Sequence, residues 1–153
     1  MAFSRNVTSQ SEFLRLVEGG CVEGVVLESF SANLRGTNVQ FRDCVFRDVM
    51  LVHARLHSCT FANCQFFGCS FRGSFWSRCT LYGCRFQDSV FDNAHFDAQC
   101  EFFQSKPCEL NDCSMANARM HLRDPLQVRF ANVKPELYNG CQITGHEFFE
   151  HFF

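Results

Sequence analysis

Residues 39–96, broken into fives, read VQFRD CVFRD VMLVH ARLHS CTFAN CQFFG CSFRG SFWSR CTLYG CRFQD SVFDN AHF. The third residue of every five is large and apolar: Phe41, Phe46, Leu51, Leu56, Phe61, Phe66, Phe71, Trp76, Leu81, Phe86, Phe91 and Phe96. The first is small or slender: Val39, Cys44, Val49, Ala54, Cys59, Cys64, Cys69, Ser74, Cys79, Cys84, Ser89 and Ala94. A helix repeats its apolar face about every 3.6 residues and a half-buried strand about every two, so neither produces a period of five. Self-similarity at a short fixed period marks a solenoid. The small and large positions are two apart, and residues two apart in extended backbone point the same way. Both therefore face inward, while the other three residues face solvent or make a corner. Large and small side chains alternate inside, which lets successive layers interdigitate without voids.

A small residue, a variable one, a central Phe or Leu and two more variable residues resemble the motif of the pentapeptide-repeat family. Asn33-Leu34 and Asn38-Val39 are similar to its most typical form. The resemblance implies an all-β fold, a right-handed quadrilateral β-helix with four repeats in each coil. Vertical neighbours would then lie twenty residues apart, so that Phe46, Phe66 and Phe86 stack, as do Leu56, Trp76 and Phe96. The coils would pair as parallel strands about 4.8 Å apart.

Outside this stretch the beat is looser. At the N-terminal edge the phase slips by two, with Leu34 and Val39 in one register and Phe41 onward in another. Beyond Phe96, Gln104-Ser105-Lys106-Pro107 is expected to be an inserted loop. Cys108/Leu110, Cys113/Met115 and Ala118/Met120 resume the beat, and Val128/Phe130 and Cys141/Ile143 fit it loosely. All three prolines, Pro107, Pro125 and Pro135, fall here and belong at corners or loops, because proline cannot donate a ladder hydrogen bond. The expected organisation is an N-terminal cap over 1–24 and a β-helix over 25–145, regular at 39–98 and irregular with insertions at 99–145. An aromatic tail over 146–153 completes it.

A solenoid exposes an apolar cross-section at each end and needs caps. Ser9 with Glu12 forms a capping-box pattern ahead of Phe13, Leu14 and Val17, and Gly19-Gly20 supplies a stop, so residues 9–18 are expected to form a short helix that closes the N-terminal end. At the other end Phe148, Phe149, Phe152 and Phe153 share one side of a possible helix. These four rings either close the last coil or contact a second molecule. Family members often dimerise through this end, so the resemblance implies a homodimer as the second option.

Eleven cysteines raise disulfides or metal, but ten of them occupy the small inward slot: Cys44, Cys59, Cys64, Cys69, Cys79, Cys84, Cys100, Cys108, Cys113 and Cys141. Cys21 lies before the repeats. Free cysteine packs as a small hydrophobe, so reduced buried thiols are expected, in the cytoplasm or another reducing intracellular compartment. Cys59, Cys64 and Cys69 in one coil with Cys79 and Cys84 above could converge on zinc or an iron–sulfur cluster. No Cys-x-x-Cys pair occurs and no histidine takes an inward slot, so no metal or cofactor is expected. The N-terminus lacks the apolar stretch of a secretory leader, and no apolar run is long enough to span a membrane.

Hydrolase, phosphate-loop, zinc-protease and dinucleotide signatures are all missing, so no enzymatic activity is expected. The quinolone-resistance members of the family act on DNA gyrase as acidic mimics of duplex DNA, and such a mimic needs a dense row of negative charge. Between Asn38 and Ala98 six arginines (Arg42, Arg47, Arg55, Arg72, Arg78, Arg85) face five aspartates (Asp43, Asp48, Asp88, Asp92, Asp97), a net of +1. Topoisomerase modulation thus ranks below a scaffold role, and thiol-based metal binding below both. Nucleic-acid binding is not expected either, since the arginines are offset and assigned to different faces. Val45, Met50, Val52, Phe67, Phe75, Tyr82 and Val90 are apolar at outward positions. Aromatics near arginines resemble interface composition. Phe67, Phe75 and Tyr82, with Phe148, Phe149, Phe152 and Phe153, are the candidate contacts of a non-enzymatic protein-interaction or scaffold module.

Overall fold

The computed structural model describes residues 5–122 and 125–144. Its strands are mostly three residues long, one in each of three out of every four five-residue repeats of the regular stretch, and every pairing among them is parallel. A seven-strand sheet collects Arg5–Val7, Val25–Glu28, Val45–Arg47, Gln65–Phe67, Arg85–Gln87, Cys108–Asn111 and Val128–Ala131. A six-strand sheet holds Arg35–Thr37, Arg55–His57, Phe75–Ser77, His95–Phe96, Arg119–His121 and Gln142–Thr144. A five-strand sheet holds Cys21–Glu23, Gln40–Arg42, Thr60–Ala62, Thr80–Tyr82 and Glu101–Phe102. Between the first two sheets a fourth column is built from single bridges, Ser31 to Met50 to Ser70 to Val90 to Ser114. The chain visits the four columns in constant rotation, so each coil lies on the one before.

The five-residue beat has a backbone cause. The residue two after each central one adopts a left-handed conformation: Asp43, Asp48, His53, Ser58, Asn63, Gly68, Gly73, Arg78, Gly83, Asp88 and Asn93, with φ between 51° and 65°. One such residue per repeat turns the chain into the next column. Asn, Asp and Gly tolerate this region best, which accounts for their abundance at that position. Gly73 shows a further constraint, because a Cβ there would lie 2.7 Å from Cε1 of His53 in the coil below.

Central side chains stack in register. Ring centroids are 4.6 Å apart for Phe41 and Phe61, 4.5 Å for Phe46 and Phe66, 4.4 Å for Phe66 and Phe86, and 4.8 Å for Trp76 and Phe96. These spacings match the distance between paired strands, so side-chain packing and backbone pairing set the same rise. Across the interior the rings meet edge-on, as between Phe66 and Phe71 at 71°. Both expected stacks, Phe46–Phe66–Phe86 and Leu56–Trp76–Phe96, are present. Each buried ring contributes about 1.5–3 kcal/mol.

At the N-terminal edge the register differs from expectation. Gly36 pairs with Leu56, and Leu34 is fully buried two residues earlier. Large and small have exchanged places within one repeat, with no slip by two. The only offset is one residue: Ser31 pairs with Met50 across nineteen positions, whereas Arg35 pairs with Arg55 across twenty. The corner between Ser31 and Arg35 is thus one residue short.

Beyond Phe96 the columns absorb extra residues. Leu81 pairs with Phe102, twenty-one positions on, and Phe86 pairs with Leu110, twenty-four on. Most of the excess lies between Phe102 and Cys108, where Gln104-Ser105-Lys106-Pro107 was expected to loop out. Val128 and Phe130 pair with Cys108 and Leu110, and Ile143 pairs with Met120. Pro125 and Pro135 begin the short 3-10 turns Pro125–Gln127 and Pro135–Leu137.

The helix Gln10–Glu18 is present, with the Ser9 hydroxyl accepting from the Glu12 amide at 3.2 Å. Phe13 is fully buried, 5.2 Å from the Phe30 ring and 6.4 Å from Phe41. No described helix is long and apolar enough to cross a membrane. The tail with Phe148, Phe149, Phe152 and Phe153 lies outside the described residues.

Candidate interaction surface

The slender inward slots are where cysteine concentrates, and nine of the eleven cysteines are buried; Cys21 is exposed and Cys141 half-buried. Size is only part of the reason. Most of the buried thiols also donate to a carbonyl of the coil below, among them Cys64 to Phe41 at 3.4 Å, Cys69 to Phe46 at 3.5 Å, Cys79 to Leu56 at 3.5 Å, Cys84 to Phe61 at 3.2 Å and Cys113 to Phe86 at 3.4 Å. Alanine would fit the slot without this bond. Where serine replaces cysteine, Ser89 Oγ accepts from the Cys69 amide and Ser74 Oγ accepts from the Trp76 indole at 2.8 Å.

Burial pushes the Cys69 thiol up to about 11 and those of Cys113 and Cys141 up to about 12. In the stacked columns the shared hydrogen bonds move the thiols in opposite directions. Cys64, Cys79 and Cys108 are raised, whereas Cys64 lowers Cys44, Cys79 lowers Cys59 to about 7, and Cys84, against the upward push of its burial, is lowered by Cys108 and Cys64. The thiolate is the metal-binding and nucleophilic form of cysteine, and burial disfavours it at Cys69, Cys113 and Cys141. Among the described residues no group of three or more His, Cys, Asp or Glu side chains is arranged to hold a metal ion.

The exposed candidates fall on different sheets. Phe67, at 38% exposure, is on the seven-strand sheet above Arg47, whose guanidinium carbon lies 5.9 Å from the ring centroid. Phe75, at 37%, is on the six-strand sheet, its ring edge-to-face with His95 at 5.2 Å. Tyr82 belongs to the five-strand sheet and packs against Phe103 at 5.7 Å. The three do not form one patch. Met50 and Val90 do share the bridge column, with Ser70 between them.

The six-strand sheet carries a pattern that the sequence concealed. Its first outward row runs Arg35, Arg55, Phe75, His95 and Arg119, each paired with the next. The second row runs Thr37, His57, Ser77, Asp97 and His121 by the same register. Between the rows lies a trough of about 310 Å³ lined by Arg35, Thr37, Arg55, His57, Phe75 and Ser77, with Gly36 and Leu56 at its floor. Among the described residues the one carboxylate in these two rows is Asp97, directly after the strand His95–Phe96, its amide donating to the Trp76 carbonyl at 2.9 Å. The arginines in the regular stretch alone do scatter, but Arg35 and Arg119 lie outside it and align with Arg55. The signal was the vertical offset, obscured by the Gly36/Leu34 exchange on one side and by the inserted residues on the other.

Residues 31–96 match the family model described as a pentapeptide repeat region. This stretch is a pentapeptide repeat region. The repeat region starts at Ser31, ahead of Val39, and so includes the inverted repeat of Leu34 and Gly36. No curated protein matches the chain. Solved structures similar to it include two trypsin-treated forms of QnrB1, a plasmid-mediated fluoroquinolone resistance protein. One is 11% identical, covering 99% of this chain and 94% of that one at a TM-score of 0.38. The other is 16% identical, covering 82% and 69% at 0.35. Full-length QnrB1 is 8% identical, covering 98% and 95% at 0.25. At such TM-scores the likeness carries no argument about function.

Proposed function

We propose that this protein is a non-enzymatic interaction or scaffold module, a rigid subunit of a larger assembly. In this proposal the four columns enclose a right-handed quadrilateral β-helix over residues 25–145. Residues 1–24, which also contribute the strands Arg5–Val7 and Cys21–Glu23 to the sheets, cap one end, and the aromatic tail 146–153 closes the other or joins a second copy. The observation that carries the proposal is the division of labour within each repeat. Inward positions are consumed by packing, with Phe41, Phe61, Phe66, Phe71 and Trp76 fully buried, while Met50, Val52, Phe67 and Phe75 stay about a third exposed on a stiff lattice of parallel strands. A stiff surface with aromatic and arginine side chains is suited to docking at low entropic cost. The compartment that fits is a reducing intracellular one, where the buried thiols stay free.

Modulation of a type II topoisomerase is the competing function, favoured by the repeat region. Affinity capture from the native cell with wild-type protein and with Phe67→Ala, Phe75→Ala and Tyr82→Ala variants separates the two, alongside a gyrase supercoiling assay. The scaffold proposal expects a protein partner that at least one variant, still folded, releases. Inhibition of supercoiling by wild-type protein would replace it with the topoisomerase function.

A further inference from the structure

We propose that the outward face of the six-strand sheet is a docking stripe for an acidic polypeptide segment carrying an apolar residue near its middle. This rests on the interaction-module function and names the face and the chemistry of the partner. Arg35, Arg55, Phe75, His95 and Arg119 stand in one row along the coil axis. At the spacing of paired strands, four steps span about 19 Å, the length of roughly six extended residues. Among the described residues neither ion pair involves this row: Arg5 pairs with Glu12 and Arg85 with Glu109. Asp97, the carboxylate on this face, accepts from the backbone amides of Arg78 at 3.2 Å and Gln99 at 3.0 Å, which occupies it in part.

Among the described residues the three guanidinium groups of this row form no ion pair and the face carries a single carboxylate, Asp97, so an acidic partner supplies the missing counter-charge. Phe75 interrupts the row at its centre, with its ring half held by His95 and its remaining surface lining the trough beside Arg55. An apolar side chain flanked by Asp or Glu on the partner fits that order of charge, ring and charge. The observations favour polypeptide over nucleic acid. The whole chain carries a net charge of −2 and a pI near 6.3, against the strongly basic balance typical of nucleic-acid binders. The row also offers a single aromatic ring as a stacking platform, where single-stranded binders use several.

Fluorescence anisotropy with the full chain tests this. The probes are a labelled poly-glutamate 20-mer, a 20-mer of glutamates with leucine at every fourth position, the same peptide with glutamine for glutamate, and a single-stranded DNA 20-mer. The leucine-containing acidic peptide should bind best, and raising salt should weaken it. Arg35→Gln/Arg55→Gln should reduce binding by at least about tenfold. Phe75→Ala should erase the advantage of the leucine peptide over poly-glutamate. Arg85→Gln, on another sheet, should leave binding unchanged, and circular dichroism melts establish that each variant is folded. Failure of both acidic peptides to bind, equal binding of the glutamine peptide, indifference to the double substitution, or tighter binding of DNA each overturns the stripe. If the stripe fails while Phe67→Ala or Tyr82→Ala still releases a captured protein partner, the interaction module survives without it.

Discussion

At the scale of single residues, the inward cysteines and the left-handed corners are the two features that respond most to change. Cys69 titrates from an ordinary 9.0 to about 11 in the fold because burial penalises its thiolate. A group whose folded value is raised stabilises the fold fully below its unfolded value and loses that contribution as pH climbs to the folded one. Stability should therefore hold up to about pH 9 and fall between pH 9 and 11, by about 2–3 kcal/mol for Cys69 alone. Denaturant melts across that range check this. Cys69→Ala should show a shallower fall, at the cost of a lower plateau near neutrality. Arg78 is the one long side chain among the left-handed corners of the regular repeats, at φ 53°. Arg78→Asn keeps the backbone amide that bonds Asp97 and relieves steric cost, so it should raise stability by about 1 kcal/mol, visible as a thermal midpoint a few degrees higher.

At the scale of the repeat, the exchange of Leu34 and Gly36 is a test of how the interior is filled. A Cβ on Gly36 would meet Cys59 Sγ at 3.2 Å and Leu56 Cδ2 at 3.4 Å, so Gly36→Leu should overpack and cost about 1–3 kcal/mol. Leu34→Ala removes a fully buried side chain and should cost about 2–5 kcal/mol. Combining them restores the ordinary small-then-large order. The double variant should lose markedly less than the two single losses added together, measured by a double-mutant cycle in urea. Strict additivity would mean that the two positions do not share one volume. This repeat also shows why the sequence was legible only up to a point. The period from Val39 to Phe96 is carried by side-chain size, and size alone predicts its inward columns and stacks. Leu34 and Gly36 defeat that rule because only their sum is conserved in space. The corner role of Asp43, Asp48 and Asn63 was also readable, as a preference for Asn, Asp and Gly at one phase, but it is a backbone signal that an apolar pattern does not reveal.

For the molecule as a whole, contacts run between successive coils, as in other solenoids, so stability is distributed along one axis and the ends can loosen before the middle. The face that carries Arg35, Arg55 and Arg119 exists only when coils are stacked. Neighbours in that row are twenty or twenty-four residues apart in the chain, so no local motif could announce them. By contrast Phe67, Phe75 and Tyr82 were legible one by one, as apolar residues at outward phase, but not their placement on three sheets.

The lone tryptophan has a consequence for watching this protein unfold. Trp76 is fully buried in a central coil, with Phe96 on one side, Leu56 on the other and its indole N–H held by Ser74. Its emission should be blue-shifted and should move to the red only when that central coil opens. Fraying at either terminus, followed by amide exchange, should proceed with the fluorescence unchanged, so the chain carries a built-in optical gauge of its own midpoint.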